Sequence, residues 1–277
     1  MKPARHVPAL VLALLAACTT IPLPRESTFH PSDADLAVTR IIHGSFVLEL
    51  HGTRLLVDPW FHSSLLTRQR EALGLTPATL PKLNAVLLTG DDVTRLDPAA
   101  LHDLAAGTPR AVVPPALRER ILALGFHDVT GLAWWERTDV DGVTITAVPT
   151  SVGPGENGYA LVSQAARLYF AGDTKPFADL VDVATAFPNL DVAILPIGGR
   201  RRFGFARQMT PEQAADAAAL LKPTRVIPSS FGATSSSPFI SFPADPVGDF
   251  RKAMEQKGLG DRLLILEPGE SWHYTKP

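Results

Sequence analysis

The sequence predicts an α/β fold: two stacked, mixed β-sheets flanked by helices, an αββα sandwich. Three observations lead there. Short apolar runs of strand length recur from residue 36 onward, and stretches with Pro in the first turn stand between them as helices. The 25 Pro and 20 Gly punctuate the chain too often for a helical bundle. Hydrophobic residues make up 45% against 19% charged, which supplies a packed core and excludes a mainly disordered chain.

Taken in order, residues 38–42, 46–50 and 54–57 form strands, with His51-Gly52 turning between the last two. Residues 85–89 are continuously apolar up to Thr89, as in a strand buried on both faces. Residues 98–106 and 115–124 are helices opened by Pro. Strands at 143–148, 159–162 and 167–171 follow, then a helix at 176–187 and a strand at 192–196. Thr210-Pro211-Glu212-Gln213 is a capping box with Pro at the first helical position, opening a helix that runs to Leu221. A strand at 224–228, a helix at 246–257 and a strand at 262–266 close the pattern. No repeat or second linker interrupts it, so residues 37–277 are expected to be one domain.

The N-terminus reads as a bacterial export signal. Lys2 and Arg5 precede an apolar stretch at 7–15, far shorter than the ~20 residues of a spanning helix. It ends in Leu15-Ala16-Ala17-Cys18, which has the form of a lipobox. Residues 1–17 are then a signal peptide, Cys18 the site of lipid attachment, and residues 18–36 a polar, Pro-bearing tether. Thr19, rather than Asp, follows the Cys, which points to the outer membrane with the domain facing the periplasm. Cys18 is the single Cys, so neither an internal disulfide nor a Cys-based zinc site can form. Lys+Arg is 26 and Asp+Glu 28, so 26 − 28 gives −2, with no bulk positive charge for a nucleic-acid backbone.

Four segments in order carry a resemblance. They are Ile42-His43-Gly44-Ser45-Phe46 with Asp58-Pro59 downstream; Ala85-Val86-Leu87-Leu88-Thr89; Tyr169-Phe170-Ala171-Gly172-Asp173-Thr174; and Ala193-Ile194-Leu195-Pro196-Ile197-Gly198 followed by Met209-Thr210-Pro211-Glu212-Gln213-Ala214. The chain thereby resembles the metallo-β-lactamase fold superfamily, in the branch of ascorbate-6-phosphate lactonases and N-acyl-phosphatidylethanolamine phospholipase D. That resemblance implies a hydrolase site holding zinc or another divalent metal with five His and an Asp, where a metal-bound hydroxide attacks. The implied motif H-x-H-x-D-H falls on Gly90-Asp91-Asp92-Val93-Thr94-Arg95. Further His positions fall on Ser151 or Val152, on Gln208 and on Ser230, and only Asp173 survives of the set.

The resemblance therefore implies the fold, while the residues point to a degenerate, metal-free homologue acting as a binding or structural module. No metal cofactor is expected. Around the cleft, His43, Asp92, Arg95, Asp173 and Ser230 are the candidate functional residues. Arg200, Arg201 and Arg202 are candidates for holding a small anionic ligand. Arg95, in a former ligand position, is expected to pair with Asp173 or Asp92. One alternative is a hydrolase of ester, lactone or phosphodiester substrates with an altered or absent metal site. Another is an oxygen-rich Mg²⁺ or Ca²⁺ site built from Asp91, Asp92, Asp97 and Asp173. Asp58 reads as a turn cap and Trp134-Trp135 as core packing or a cover over the cleft. No Gly-x-Ser-x-Gly elbow supports a serine nucleophile.

Overall fold

The computed structural model describes residues 28–65, 67–108 and 110–276. Cys18 and the expected signal peptide lie outside the described residues. Within them a seven-stranded and a six-stranded sheet stack face to face. The first runs in the order Ser271–Tyr274, Leu36–Ile42, Ser45–Leu50, Thr53–Val57, Ala85–Leu87, Arg110–Val113, Asp128–Gly131. The second runs Arg225–Ser229, Val192–Pro196, Arg167–Phe170, Gly158–Val162, Val143–Val148, Arg137–Val140. Each is antiparallel along one part and parallel along the rest, as the mixed sheets of the sequence reading require.

Both faces of each sheet are covered, which explains the nearly continuous apolar strands. Phe46, Leu48 and Leu50 face the second sheet, while Val47 between them faces the outer helices. On the second sheet Leu168 and Phe170 point inward, and Tyr169 and Ala171 pack under the opposite helices. Phe46 meets Phe170 edge to face across the sandwich, ring centroids 6.0 Å apart. Pro98–Ala105 covers the first sheet; Leu180–Ala186, Pro211–Leu221 and Pro246–Gln256 cover the second. Tyr159 joins the layers near the site by donating its hydroxyl to the Leu88 carbonyl at 2.8 Å.

Three expected elements change. The helix expected at 176–187 spans only Leu180–Ala186. Ahead of it Ser151 N donates to Thr174 Oγ1 and Lys175 N to Ser151 Oγ, which holds the chain against the site before it can coil. The helix at 115–124 begins as a 3₁₀ turn, Pro115–Leu117, before Arg118–Ala123. The strand at 262–266 reduces to a single bridge from Leu263 to Val226, because Gly260–Arg262 is itself a 3₁₀ turn. The closing strand is Ser271–Tyr274, which returns the C-terminus to pair with Leu36–Ile42.

Part of the expected tether is docked rather than free. His51 N donates to the Asp35 carbonyl, Ser32 N to Glu49 Oε1, and Phe29 packs on the core beside Arg54.

Candidate functional site

The loops that leave the parallel-paired strands at their C-terminal ends, the usual location of a crevice in open α/β sheets, meet at one edge of the sandwich with the loop joining the antiparallel strands Val143–Val148 and Gly158–Val162. They carry Asp92, Arg95, Ser151, Glu156, Asp173, Arg200 and Ser230 together. Asp92 opens a turn: its carbonyl accepts from Arg95 N and Leu96 N, and its carboxylate accepts from Thr94 N and Thr94 Oγ1. That turn directs Arg95 inward, where it is 3% exposed.

Arg95 makes a two-pronged pair with Glu156: Nη1 to Oε2 at 2.8 Å and Nη2 to Oε1 at 3.0 Å. Its Nη1 also donates to Thr89 Oγ1 at 3.1 Å, and its Nε lies 3.5 Å from Asp173 Oδ2. Arg200 enters from the opposite side. Its Nη1 donates to Asp92 Oδ1 at 2.7 Å and its Nη2 to Asp173 Oδ2 at 3.5 Å. Asp173 receives its closest bond on the other oxygen, from Ser230 Oγ at 2.7 Å. Two guanidinium groups thus sit among three carboxylates, and Asp173 is shared between them.

Backbone geometry fixes the members. Ser230 holds φ 59°, a left-handed conformation, and its N–H donates to the His43 carbonyl at 3.0 Å. Glu156 is placed by Trp134, whose Nε1 donates to its carbonyl at 2.9 Å, and by Asn157 N bonded to the Thr89 carbonyl. Gly90 is required by space: a Cβ there would fall 2.5 Å from Arg95 Nη1 and 3.0 Å from Glu156 Cδ. The volume that a side chain at residue 90 would occupy is filled by the Arg95 head.

The titration behaviour follows the pairing. Burial works against charge on Asp173, yet Arg95 and Arg200 together hold its carboxyl below the usual range. The same contest, with Arg200 prevailing over burial, holds Asp92 well below it. Burial works against the charge on Arg95 as well, but Asp173 and Glu156 raise its proton affinity further. Glu156 goes up, since burial outweighs Arg95 there. His43 is driven down to about 4 by burial. Its Nδ1 faces the Phe231 carbonyl at 3.1 Å and so donates, leaving Nε2 as a buried acceptor without a partner among the described residues. Asp58, also buried, is pushed up to about 7 although Thr89 N and Thr89 Oγ1 both donate to it.

A divalent metal does not fit this donor set. Arg95 and Arg200 are fixed cations at the centre, and a cation between them would face repulsion while competing for carboxylates already bonded. Among the described residues no three His, Cys, Asp or Glu side chains are grouped to hold one.

The residues singled out from sequence fare differently. His43, Asp92, Arg95, Asp173, Ser151 and Ser230 come together. Arg95 pairs with Asp173 only at 3.5 Å; its strong partner is Glu156, and Asp92 belongs to Arg200 instead. Arg200 is buried in the cluster, whereas Arg201 and Arg202 are exposed, Arg202 at the rim. The Mg²⁺ or Ca²⁺ grouping does not assemble. Asp97 caps the helix Pro98–Ala105 through Ala100 N and accepts from Phe61 N and His62 N, and Asp91 is exposed. Asp58 does more than cap a turn, since it is buried beneath Thr89. Trp134 is neither core nor cover but a clamp on Glu156, and Trp135 is 43% exposed. Glu156 was missed, although it is the lone charged residue between Ser151 and Arg167 and sits in a Gly-Pro-Gly loop on the same edge.

The cleft above the cluster measures about 230 Å³ and is bordered by Asp91, Val152, Arg202 and Arg207 in addition to the paired charges.

Comparison with known proteins gives a consistent picture. A family model described as the beta-lactamase superfamily domain matches residues 53–230. A UPF0173 metal-dependent hydrolase of Pyrobaculum neutrophilum is 28% identical over 235 residues, covering 82% of this chain and 95% of that protein. One from Thermococcus onnurineus is 35% identical over 142 residues, 48% of this chain and 56% of that protein. Among solved structures, Igni18, a metallo hydrolase from Ignicoccus hospitalis, superposes with a TM-score of 0.70 at 24% identity, covering 87% of this chain and 99% of that one.

Proposed function

The chain belongs to the beta-lactamase superfamily domain family, and from that membership we propose that it is a metal-free member whose cleft binds a small anion instead of performing metal-assisted hydrolysis. One observation carries this reading: Arg95 and Arg200 occupy the centre of the cluster and set two positive charges against the carboxylates of Asp92, Glu156 and Asp173. In the resemblance drawn from the sequence, metal ions would supply that positive charge.

The ligand chemistry follows from what borders the cleft. Arg202 and Arg207 carry charge with no ion pair among the described residues, and Arg200 Nε and Gln208 Nε2 are buried donors without acceptors there. Excess donors and a volume of about 230 Å³ suit a small carboxylate or phosphate. Elemental analysis of tag-free protein tests the metal-free reading, and a stoichiometric transition metal would sink it. Inorganic phosphate should raise the melting temperature of the native protein and have less effect on an Arg202→Gln/Arg207→Gln variant.

A second reading is favoured by the similarity to proteins named metal-dependent hydrolases. It makes this chain a hydrolase of an ester, lactone or phosphodiester. Turnover of such substrates that a chelator abolishes would establish it over the first.

We further propose that the domain is held at the outer membrane, facing the periplasm, by lipid on Cys18. The diacylglyceryl and N-acyl chains of a processed lipoprotein anchor stably where one chain would not. Labelled palmitate should enter the native protein and not Cys18→Ser; equal labelling of both would refute the anchor.

A further inference from the structure

The segment that delivers Arg200 to the cluster continues outward into a feature with no role in the core. Strands Arg201–Arg202 and Phe205–Ala206 form a hairpin, and Ile240–Ser241 pairs along the other side of Arg201–Arg202. This small sheet exposes three aromatic rings: Phe203 at 58%, Phe205 at 74% and Phe239 at 57%. Phe203 and Phe239 lean on each other with centroids 4.9 Å apart.

The turn makes Phe203 costly. Phe203 and Gly204 have φ 51° and 78°, a two-residue hairpin turn with both residues left-handed. Asn, Asp and Gly are preferred at the first of these positions, and a bulky side chain there bears steric strain. A ring kept at that position, more than half exposed, recovers little by burial within this molecule.

The charge around it is one-sided. Residues 198–209 hold four Arg and no acidic residue, and residues 233–244 hold no charged residue. Arg200 is turned inward to Asp92 and Asp173, which leaves Arg201, Arg202 and Arg207 exposed. No carboxylate pairs with any of these three among the described residues; Arg201 Nε reaches only the Gly204 carbonyl, and Arg202 lies 5.6 Å from the Phe203 ring.

We propose that this hairpin is a docking surface for an anionic lipid bilayer. Exposed rings flanked by unpaired guanidinium groups have the composition that enters a headgroup region, the rings reaching the acyl boundary and the cations staying with the phosphates. Charge complementarity selects this occupant over an apolar protein groove, which would have to desolvate three cations. The N-terminus adds a second argument. Cys18 precedes Phe29, where the chain is packed on the domain, by eleven residues, a reach of at most roughly 40 Å. A lipid on Cys18 would confine the domain near a bilayer, so a weak surface contact would be held at high effective concentration.

The test removes the anchor so that the hairpin acts alone. A chain beginning at residue 19, which keeps every described residue, is sedimented with phosphatidylglycerol-rich vesicles and with pure phosphatidylcholine vesicles. Binding to the first, weakened by salt and absent from the second, is expected. Phe205→Ser/Phe239→Ser should weaken it about tenfold, and Arg201→Gln/Arg202→Gln should remove most of the preference for anionic lipid. Phe203→Asn, which suits a left-handed turn, should reduce binding while leaving or raising the melting temperature. Equal or absent binding to the two vesicle types overturns the proposal. So does partitioning that the Phe substitutions leave unchanged, or concentration-dependent self-association that they abolish without any vesicle binding.

Discussion

At the scale of single residues, the cluster depends on charges that cannot be removed singly. Arg95 is almost fully buried against Glu156 and Asp173, and breaking a buried pair from one side typically costs about 3–5 kcal/mol. Arg95→Ala is therefore expected to lower unfolding stability by about that amount, and adding Glu156→Gln should recover part of it. A double-mutant cycle in urea measures the coupling; a value near zero would mean that the pair contributes nothing. Asp58 gives a pH signature. Its carboxyl titrates near 7 when folded against 3.8 in the free group, so its contribution is complete below 3.8 and is lost as pH rises through 7. His43 acts in the opposite sense: shifted from 6.5 to about 4, it favours the fold above 6.5 and loses that contribution as pH falls toward 4. The two slopes oppose between about 4 and 6.5, and of these two groups Asp58 alone acts from there to about 7. Native stability should fall across that upper interval by at most about 1.4 kcal/mol per pH unit, and Asp58→Asn should flatten the decline. A decline that persists in the variant would exclude Asp58 as its source.

At the scale of elements, a helix start is legible where a capping box marks it and not where a distant loop holds the chain ahead of it. Thr210 caps the helix Pro211–Leu221 as its motif predicts, with Gln213 N on Thr210 Oγ1 and Thr210 N on Gln213 Oε1. Thr210→Ala should cost about 1 kcal/mol, read as a lower urea midpoint with an unchanged slope. The helix ending at Ala186 lost its first turn because Ser151, from a loop distant in sequence, bonds Thr174 and Lys175. Nothing local to 174–179 announces that bond. The strands Arg110–Val113, Asp128–Gly131 and Arg137–Val140 escaped notice because they are short and carry polar residues. Sheet pairing, more than local propensity, makes them strands.

At the scale of the whole molecule, the two ends of the described chain are joined in one sheet. Tyr274 to Ser271 pair with Leu36 to Thr39, and Ser32 Oγ bonds His273 Nδ1 at 2.8 Å. Deleting residues 271–277 would strip the edge from Leu36–Ile42 and remove Trp272 and Tyr274, which pack on the inner core. Such a truncation should melt well below the native chain and aggregate on heating, measured by light scattering. A native melting profile would show that the closing strand is dispensable.

The sequence by itself determined the layered α/β class, because alternation and apolar runs report burial directly, and it placed six of the cluster's residues on loops after strands. It also shows Gly90, Asp92 and Arg95 at the positions where the resemblance implies His, and Thr94 where it implies Asp, without any coordinates. Only the tertiary structure decided the partners. Arg95 chose Glu156 over Asp92 because Trp134 and Asn157 carry that loop across the cleft, and Arg200 reached Asp92 from a segment 108 positions away. Which carboxylate a buried guanidinium finds depends on where the fold brings distant loops to within about 3 Å, and a one-dimensional pattern holds no such distance.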